Sequence, residues 1–212
     1  DPKGELPGSA GNYLKENGYQ IEVFNLINPK ESNKYNPFAY IRTETDVIKL
    51  ITNLMKNTTP KKSSSSDPFW EKSESLFLQA LFYYVWMEMP PGRKNIVSVL
   101  ELLAEAKREK DEPSRLDRRM ELLARTNPLG EDHPAVRQYR KVMDGADNTI
   151  KSIIISVNAR LAFLENKDIK ELLETDELHF GELGTGKNSD KKTKTALFIV
   201  TPDSDKSYAF LI

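Results

Sequence analysis

Thr195-Ala196-Leu197-Phe198-Ile199-Val200, closed by Thr201-Pro202-Asp203, is the stretch that decides the fold class. Six consecutive apolar or β-branched residues without polar alternation predict a strand buried on both faces of a parallel sheet. Such a strand needs α/β partners, and the first sixty residues supply them. Ile21, Val23, Asn25 and Ile27 interleave with Glu22, Phe24 and Leu26 in a mostly apolar strand over 21–27, ended by Asn28-Pro29. Before it, Pro7-Gly8-Ser9 reads as a turn, Ala10 to Asn17 as a short helix, and Gly18 as the helix stop. After it, Lys30 to Tyr40 reads as a loop. Thr43 then caps a helix with Asp46 at the third position, and Val47, Ile48, Ile51, Leu54 and Met55 form its apolar stripe.

Composition changes at Pro60-Lys61-Lys62 and Ser63 to Ser66, a polar low-complexity hinge. From Asp67 to about Glu165 the strong signals are helical. Asp67 caps and Pro68 opens a helix to Met89 whose second half is apolar on every face, as the central helix of a bundle would be. Pro90-Pro91-Gly92 breaks it. Further helices are predicted over Ile96 to Arg108 and Ser114 to Arg125. A last one runs from Ala135 to Glu165, interrupted at Gly145. A short helix near Ile169 to Leu173 leads back towards the strand. The expected organisation is an α/β part over 1–62, an all-α insertion over 63–166, and a return to the α/β part over 167–212. The opening Asp1-Pro2-Lys3 and the uncapped apolar run Tyr208 to Ile212 suggest a piece of a longer protein.

Several function classes drop out on composition. With 31 Lys and Arg against 32 Asp and Glu, no global positive field draws the chain to nucleic acid. The absence of cysteine excludes a disulfide scaffold and a thiolate nucleophile or zinc site. His133 and His179 lie far apart without a second ligand at metal spacing. The longest near-continuous apolar run, Leu76 to Met87, falls short of the ~20 residues that span a bilayer.

Gly181-Glu182-Leu183-Gly184-Thr185-Gly186-Lys187-Asn188 nearly matches a phosphate loop, but Asn188 stands where a magnesium-binding hydroxyl belongs. A charged linker follows it where a helix start is required. A flexible glycine turn is the better reading. Asp1, Lys3 and Glu5 place two carboxylates and an ammonium on a tight turn, with Gly4 allowing close backbone approach. At the carboxyl end of a parallel strand, that is where α/β proteins bind ligands; elsewhere it is a surface turn.

Four segments in order carry a resemblance: Asp1-Pro2-Lys3-Gly4-Glu5-Leu6; Asn36-Pro37 after Lys34-Tyr35; Asp67-Pro68-Phe69-Trp70-Glu71; and Lys194 to Asp205, the most specific of them. Together they resemble the TraG/TraD-like coupling proteins of type IV secretion and conjugation. The resemblance implies a membrane-anchored, hexameric, RecA-like ATPase at the cytoplasmic face of the bacterial membrane. It also implies an all-α domain, inserted in the nucleotide-binding domain, that receives a relaxase–DNA cargo for the secretion channel. ATP and magnesium are then expected for the full-length protein and not for this piece, whose family phosphate loop would lie before Asp1. Asp1, Lys3 and Glu5 carry over as nucleotide-side candidates. A non-enzymatic helical docking module on an α/β scaffold is the alternative.

Within the helical block, Arg115, Arg118, Arg119 and Arg125 cluster on one predicted helix and Arg137, Arg140 and Lys141 on the next. They are the cargo-docking candidates. Asp117, Glu121, Glu131 and Asp132 are interleaved with them, so an acidic protein surface is the favoured partner and DNA phosphate the alternative. Trp70, Tyr83, Tyr84 and Trp86 are expected in the helical core.

Overall fold

Two strands from opposite ends of the chain pair in one parallel sheet, β1 (Tyr19–Asn25) and β2 (Lys194–Val200). The computed structural model describes residues 4–59, 68–108, 112–183, 185–186 and 192–201. The strand register runs from Tyr19 opposite Lys194 to Asn25 opposite Val200. Parallel strands need a crossover connection, and here everything between residues 26 and 193 supplies it. The chain divides into two compact units, Asp1–Pro37 with Asn166–Ile212, and Phe38–Glu165.

In the first unit, helix α1 spans Glu5–Glu16. The turn expected at Pro7-Gly8-Ser9 is therefore the first part of the helix. Pro7 sits at its third residue, where a backbone N–H has no intrahelical acceptor and proline loses nothing. Glu5 in the first turn complements the helix dipole. Gly18, at φ 80, ends the helix in the left-handed region and feeds the chain directly into β1. The strand thus begins two residues earlier than its apolar pattern suggests. It also ends earlier, because the Asn25 side chain accepts from the N–H groups of Ile27 and Asn28 and turns the chain.

The outer edge of β1 is covered by its own return loop. Val23 N–H donates to the Asn33 side chain at 2.7 Å, Asn33 N–H to the Val23 carbonyl at 2.8 Å, and Asn25 N–H to Ser32 Oγ at 2.8 Å. Phe24 and Leu26 are buried. β2 is half-buried up to the buried Val200, and among the described residues it is not covered on both faces. Among the described residues it has one paired neighbour, β1.

Helix α8 (Lys167–Glu174) closes this unit, opened by Asn166, whose side chain accepts from Asp168 and Ile169. Beyond it, Tyr35 N–H donates to the Leu172 carbonyl and Glu177 N–H to the Lys34 carbonyl. Lys34 N–H donates to the Glu177 carboxylate and Asn36 N–H to that of Asp176. These four bonds clamp the two chain passages on either side of the helical unit.

The second unit is built on α3 (Pro68–Glu88), whose buried residues Phe77, Leu78, Leu81, Phe82, Tyr83 and Val85 occupy more than one face. Around it pack α2 (Glu44–Thr58), α4 (Ile96–Glu105), α6 (Pro134–Met143) and α7 (Asp147–Leu161). Helix α5 (Arg115–Thr126) packs on α4 and α6. The capping box at Thr43 and Asp46 forms as expected and starts α2. Helix α2 belongs to this compact unit, burying Val47, Ile51 and Leu54. The break at Gly145 separates α6 from α7, and a Cβ there would come 3.3 Å from the Val142 carbonyl oxygen. Helix α4 stops at Glu105, short of the expected Arg108, whose guanidinium is engaged elsewhere. Phe69 and Trp70 are exposed and meet edge-to-face at 5.4 Å. Trp70 is therefore not a core residue, because burial along α3 begins only at Ser73. The cap expected at Asp67 and the serine hinge lie outside the described residues.

Candidate functional site

Of the nucleotide-side candidates, Asp1 and Lys3 lie outside the described residues. Glu5 is exposed and opens α1. Gly4 before it takes φ 70, a region that favours glycine, and its Cβ position lies 3.5 Å from Val200 Cγ1, at the last residue of β2. The start of α1 therefore stands at the carboxyl end of the sheet. The glycine-rich segment does not form a phosphate cradle among its described residues. His179 at φ 45 and a single 3-10 turn, Phe180–Glu182, stand where a strand would have to lead in. Thr185 Oγ1 donates to the Gly181 carbonyl and Gly186 N–H to the Glu182 carbonyl, closing the turn on itself. Gly184, Lys187 and Asn188 lie outside the described residues. Among the described residues no group of three His, Cys, Asp or Glu is placed to hold a metal.

The seven basic candidates of the helical unit separate into distinct kinds. Arg119 is structural: it donates twice to Glu105, at 2.8 and 2.7 Å, and lies over the Tyr84 ring at 5.7 Å. Its hydrogen bonds to Glu105 and Tyr84 raise its pKa despite partial burial, so it stays charged at any working pH. Arg118 meets Glu112 at 3.4 Å, and Arg125 meets Glu121 at 2.9 Å, one turn away on the same helix. Arg140 bridges Glu121 and Glu131 from α6. Lys141 donates to the Gln138 side chain at 3.1 Å. Arg115 and Arg137 are exposed and form no ion pair among the described residues. The exposed pairs are worth about 0–1 kcal/mol each and exchange readily for a partner's charges. The face is a laced surface of both signs, less attractive to a phosphate backbone than its arginine count suggests.

The centre that sequence reasoning missed is Asp117. Its interleaved position among arginines marks it as a surface charge; in the structure it is the hub of a half-buried network. Arg108 donates to it twice, at 2.9 and 3.1 Å, Tyr139 Oη at 2.7 Å and Ser114 N–H at 2.7 Å. Burial alone would raise its carboxyl, but the bonds from Arg108, Tyr139 and Ser114 outweigh this and hold it at about 2. Burial, and then the bond to Asp117, push the Tyr139 phenol up. The capping box of Ser114 and Asp117 could be read locally. Arg108 and Tyr139 could not, since they come from outside α5. His133 is fully buried and caps α6: its Nδ1 accepts from Ala135 N–H at 3.2 Å, and its Nε2 lies 3.0 Å from Glu88. This arrangement assigns it a structural role.

No helix among the described residues is long and apolar enough to cross a membrane. Comparison with curated proteins returns no match. One family model, described as Type IV secretory system Conjugative DNA transfer, matches residues 1–212. The ordered segments from Asp1 to Asp205 and the model's match along the whole chain agree, and the chain belongs to this family of conjugative DNA-transfer proteins of type IV secretion.

Proposed function

We propose that the chain is the part of a conjugative coupling protein in which a RecA-like nucleotide-binding domain carries its cargo-receiving insert. One observation carries this reading. The two passages flanking Phe38–Glu165 return to one parallel sheet and are clamped together by hydrogen bonds between residues 34–36 and 172–177, two of them backbone–backbone and two to carboxylates. A helical unit that is compact by itself suits the reception of cargo without disturbing the sheet. The start of α1 at the carboxyl end of β2 supports a nucleotide-side role for Asp1, Lys3 and Glu5, since ligands of open α/β sheets bind outside that edge. In the full-length protein, ATP and magnesium would be held with a phosphate loop outside this chain, and hydrolysis would drive DNA translocation by a hexamer at the cytoplasmic face of the membrane.

The helical unit recruits the relaxase through the exposed arginines of α5 and α6, with Arg115, Arg118, Arg125, Arg137, Arg140 and Lys141 as the contact set. A protein surface is favoured over DNA because each lining carboxylate that lowers the phosphate attraction is also a ready hydrogen-bonding partner for a mixed-charge protein face. Titration of the 212-residue chain with the cognate relaxase, alone and bound to its origin DNA, tests this. Binding by the relaxase alone, with a shallow salt dependence, is expected. Binding that requires DNA and falls steeply with salt would replace the protein contact by a phosphate contact.

A further inference from the structure

Between α5 and α6 lies an open cleft of about 340 Å³, at the lower end of the volumes of binding pockets. Pro113, Met120, Val136 and Met143 make its walls apolar. Tyr139 and Asp117 also line it, bonded to each other: Asp117 accepts from Arg108, Tyr139 and Ser114. A basic side chain entering the cleft would find the Asp117 carboxylate already filled. The rim is different. Arg118, 64% exposed, and Arg140, 48% exposed, flank the cleft, and their present partners Glu112 and Glu131 are themselves exposed. Replacing these surface pairs with carboxylates from a partner costs little. The remaining lining carboxylate, Glu121, is shared between Arg125 and Arg140. Methionine walls adapt to differently shaped apolar groups.

We infer that this cleft seats a single large apolar side chain carried on an acidic segment of the docked protein, with Arg118 and Arg140 gripping the flanking carboxylates. The inference rests on the reading of the helical unit as the cargo-receiving surface and names what that surface recognises. Such a seat has the form of an anchor residue in a desolvated pocket ringed by charge.

The test uses the 212-residue chain and a fluorescein-labelled nine-residue peptide: one central phenylalanine flanked on each side by four acidic residues. Fluorescence anisotropy should show binding that weakens at least about tenfold when the phenylalanine becomes serine. The same peptide with lysines in place of the acids should not bind. Arg118→Glu/Arg140→Glu should lose at least about tenfold, whereas Lys151→Glu, exposed on α7 and off the cleft, should stay within about twofold. Met143→Glu should also abolish binding; Arg108 Nη2 lies 3.2 Å from the Met143 sulfur and can donate to the new carboxylate. If Met143→Glu fails to melt cooperatively, the arginine pair alone decides. Equal binding of the serine peptide, or indifference to the arginine pair, overturns the inference. Displacement of the peptide by self-association, seen in sedimentation, would give the cleft to a second copy and overturn it too. Relaxase that displaces the peptide supports both readings. Relaxase that binds without displacing it leaves the docking surface standing and overturns the cleft as its seat. Peptide binding with no relaxase binding overturns the docking reading instead.

Discussion

Replacing Arg160 by methionine should destabilise the helical unit more than any substitution on its exposed arginine face. Arg160 on α7 pairs with Glu74 on α3 at 2.6–2.7 Å, and their side chains are only 12% and 5% exposed. The same guanidinium donates to Thr58 Oγ1 at 2.8 Å, Thr59 Oγ1 at 3.2 Å and the Met55 carbonyl at 3.3 Å, so it also closes the C-terminal end of α2. Ser156 is hydrogen-bonded to Glu74 from the next turn of α7. Removing one partner of a buried pair strands the other charge and costs about 3–5 kcal/mol. The three lost bonds to α2 overlap with that figure and do not simply add to it. A loss of about 3–5 kcal/mol is a large share of the roughly 5–15 kcal/mol that typically holds a domain together. The assay is urea unfolding of Arg160→Met, Glu74→Gln and the double variant, followed by circular dichroism. The double variant should recover at least half of the Arg160→Met loss, because no charge is then left stranded. A single-variant loss below about 1 kcal/mol, or a double variant no more stable than Arg160→Met, would refute the reasoning.

Asp117→Asn should cost roughly 2 kcal/mol near neutral pH, since a carboxyl held at about 2 against an ordinary 3.8 carries that much linkage free energy. The sign follows from the depressed value: the contribution is complete above the ordinary value and is lost as pH falls through about 2. The wild-type advantage over the Asp117→Asn variant in thermal melts should therefore shrink on acidification below pH ~4; an advantage that grows there would contradict the network. A piece spanning residues 38–165 should melt cooperatively and be clearly more stable than one spanning 67–165, which lacks Val47, Ile51 and Leu54 of α2 and the bonds of Arg160 to it; equal melting temperatures would show that α2 is dispensable. The 212-residue chain should show no magnesium-dependent ATP hydrolysis, and a turnover abolished by Lys187→Ala would assign the glycine segment a phosphate-binding role after all.

Local chemistry made most of the elements legible in the amino-acid sequence. The box of Thr43 and Asp46, the stop at Gly18, the break at Gly145 and the apolar run of β2 are short-range signals, and each falls where its physics places it. Pro7 misled because proline reads as a turn, whereas the first turn of a helix accepts it freely. The half-exposed state of β2 depends on how many strands flank it, which a run of apolar residues does not encode. The arginine cluster was visible as a cluster, but its division was not. Arg119 becomes a structural tie only through Glu105 on α4 and Tyr84 on α3, and Asp117 becomes a hub only through Arg108 and Tyr139. Pairing across helices is set by tertiary packing and leaves no periodic trace. For the same reason α2 reads as part of the α/β half, though its apolar stripe faces α3.

The most direct test of the helical unit as cargo receptor is its excision from the full-length coupling protein. A flexible Gly/Ser linker would replace residues 38–165, joining passages already clamped by the bonds of residues 34–36 to 172–177. Relaxase binding to the excised and intact proteins would then be compared by surface plasmon resonance, with nucleotide binding measured on both to confirm that the remainder is folded. The expected result is nucleotide binding retained and relaxase binding lost. Relaxase bound by the excised protein with undiminished affinity would contradict the docking role of the helical unit.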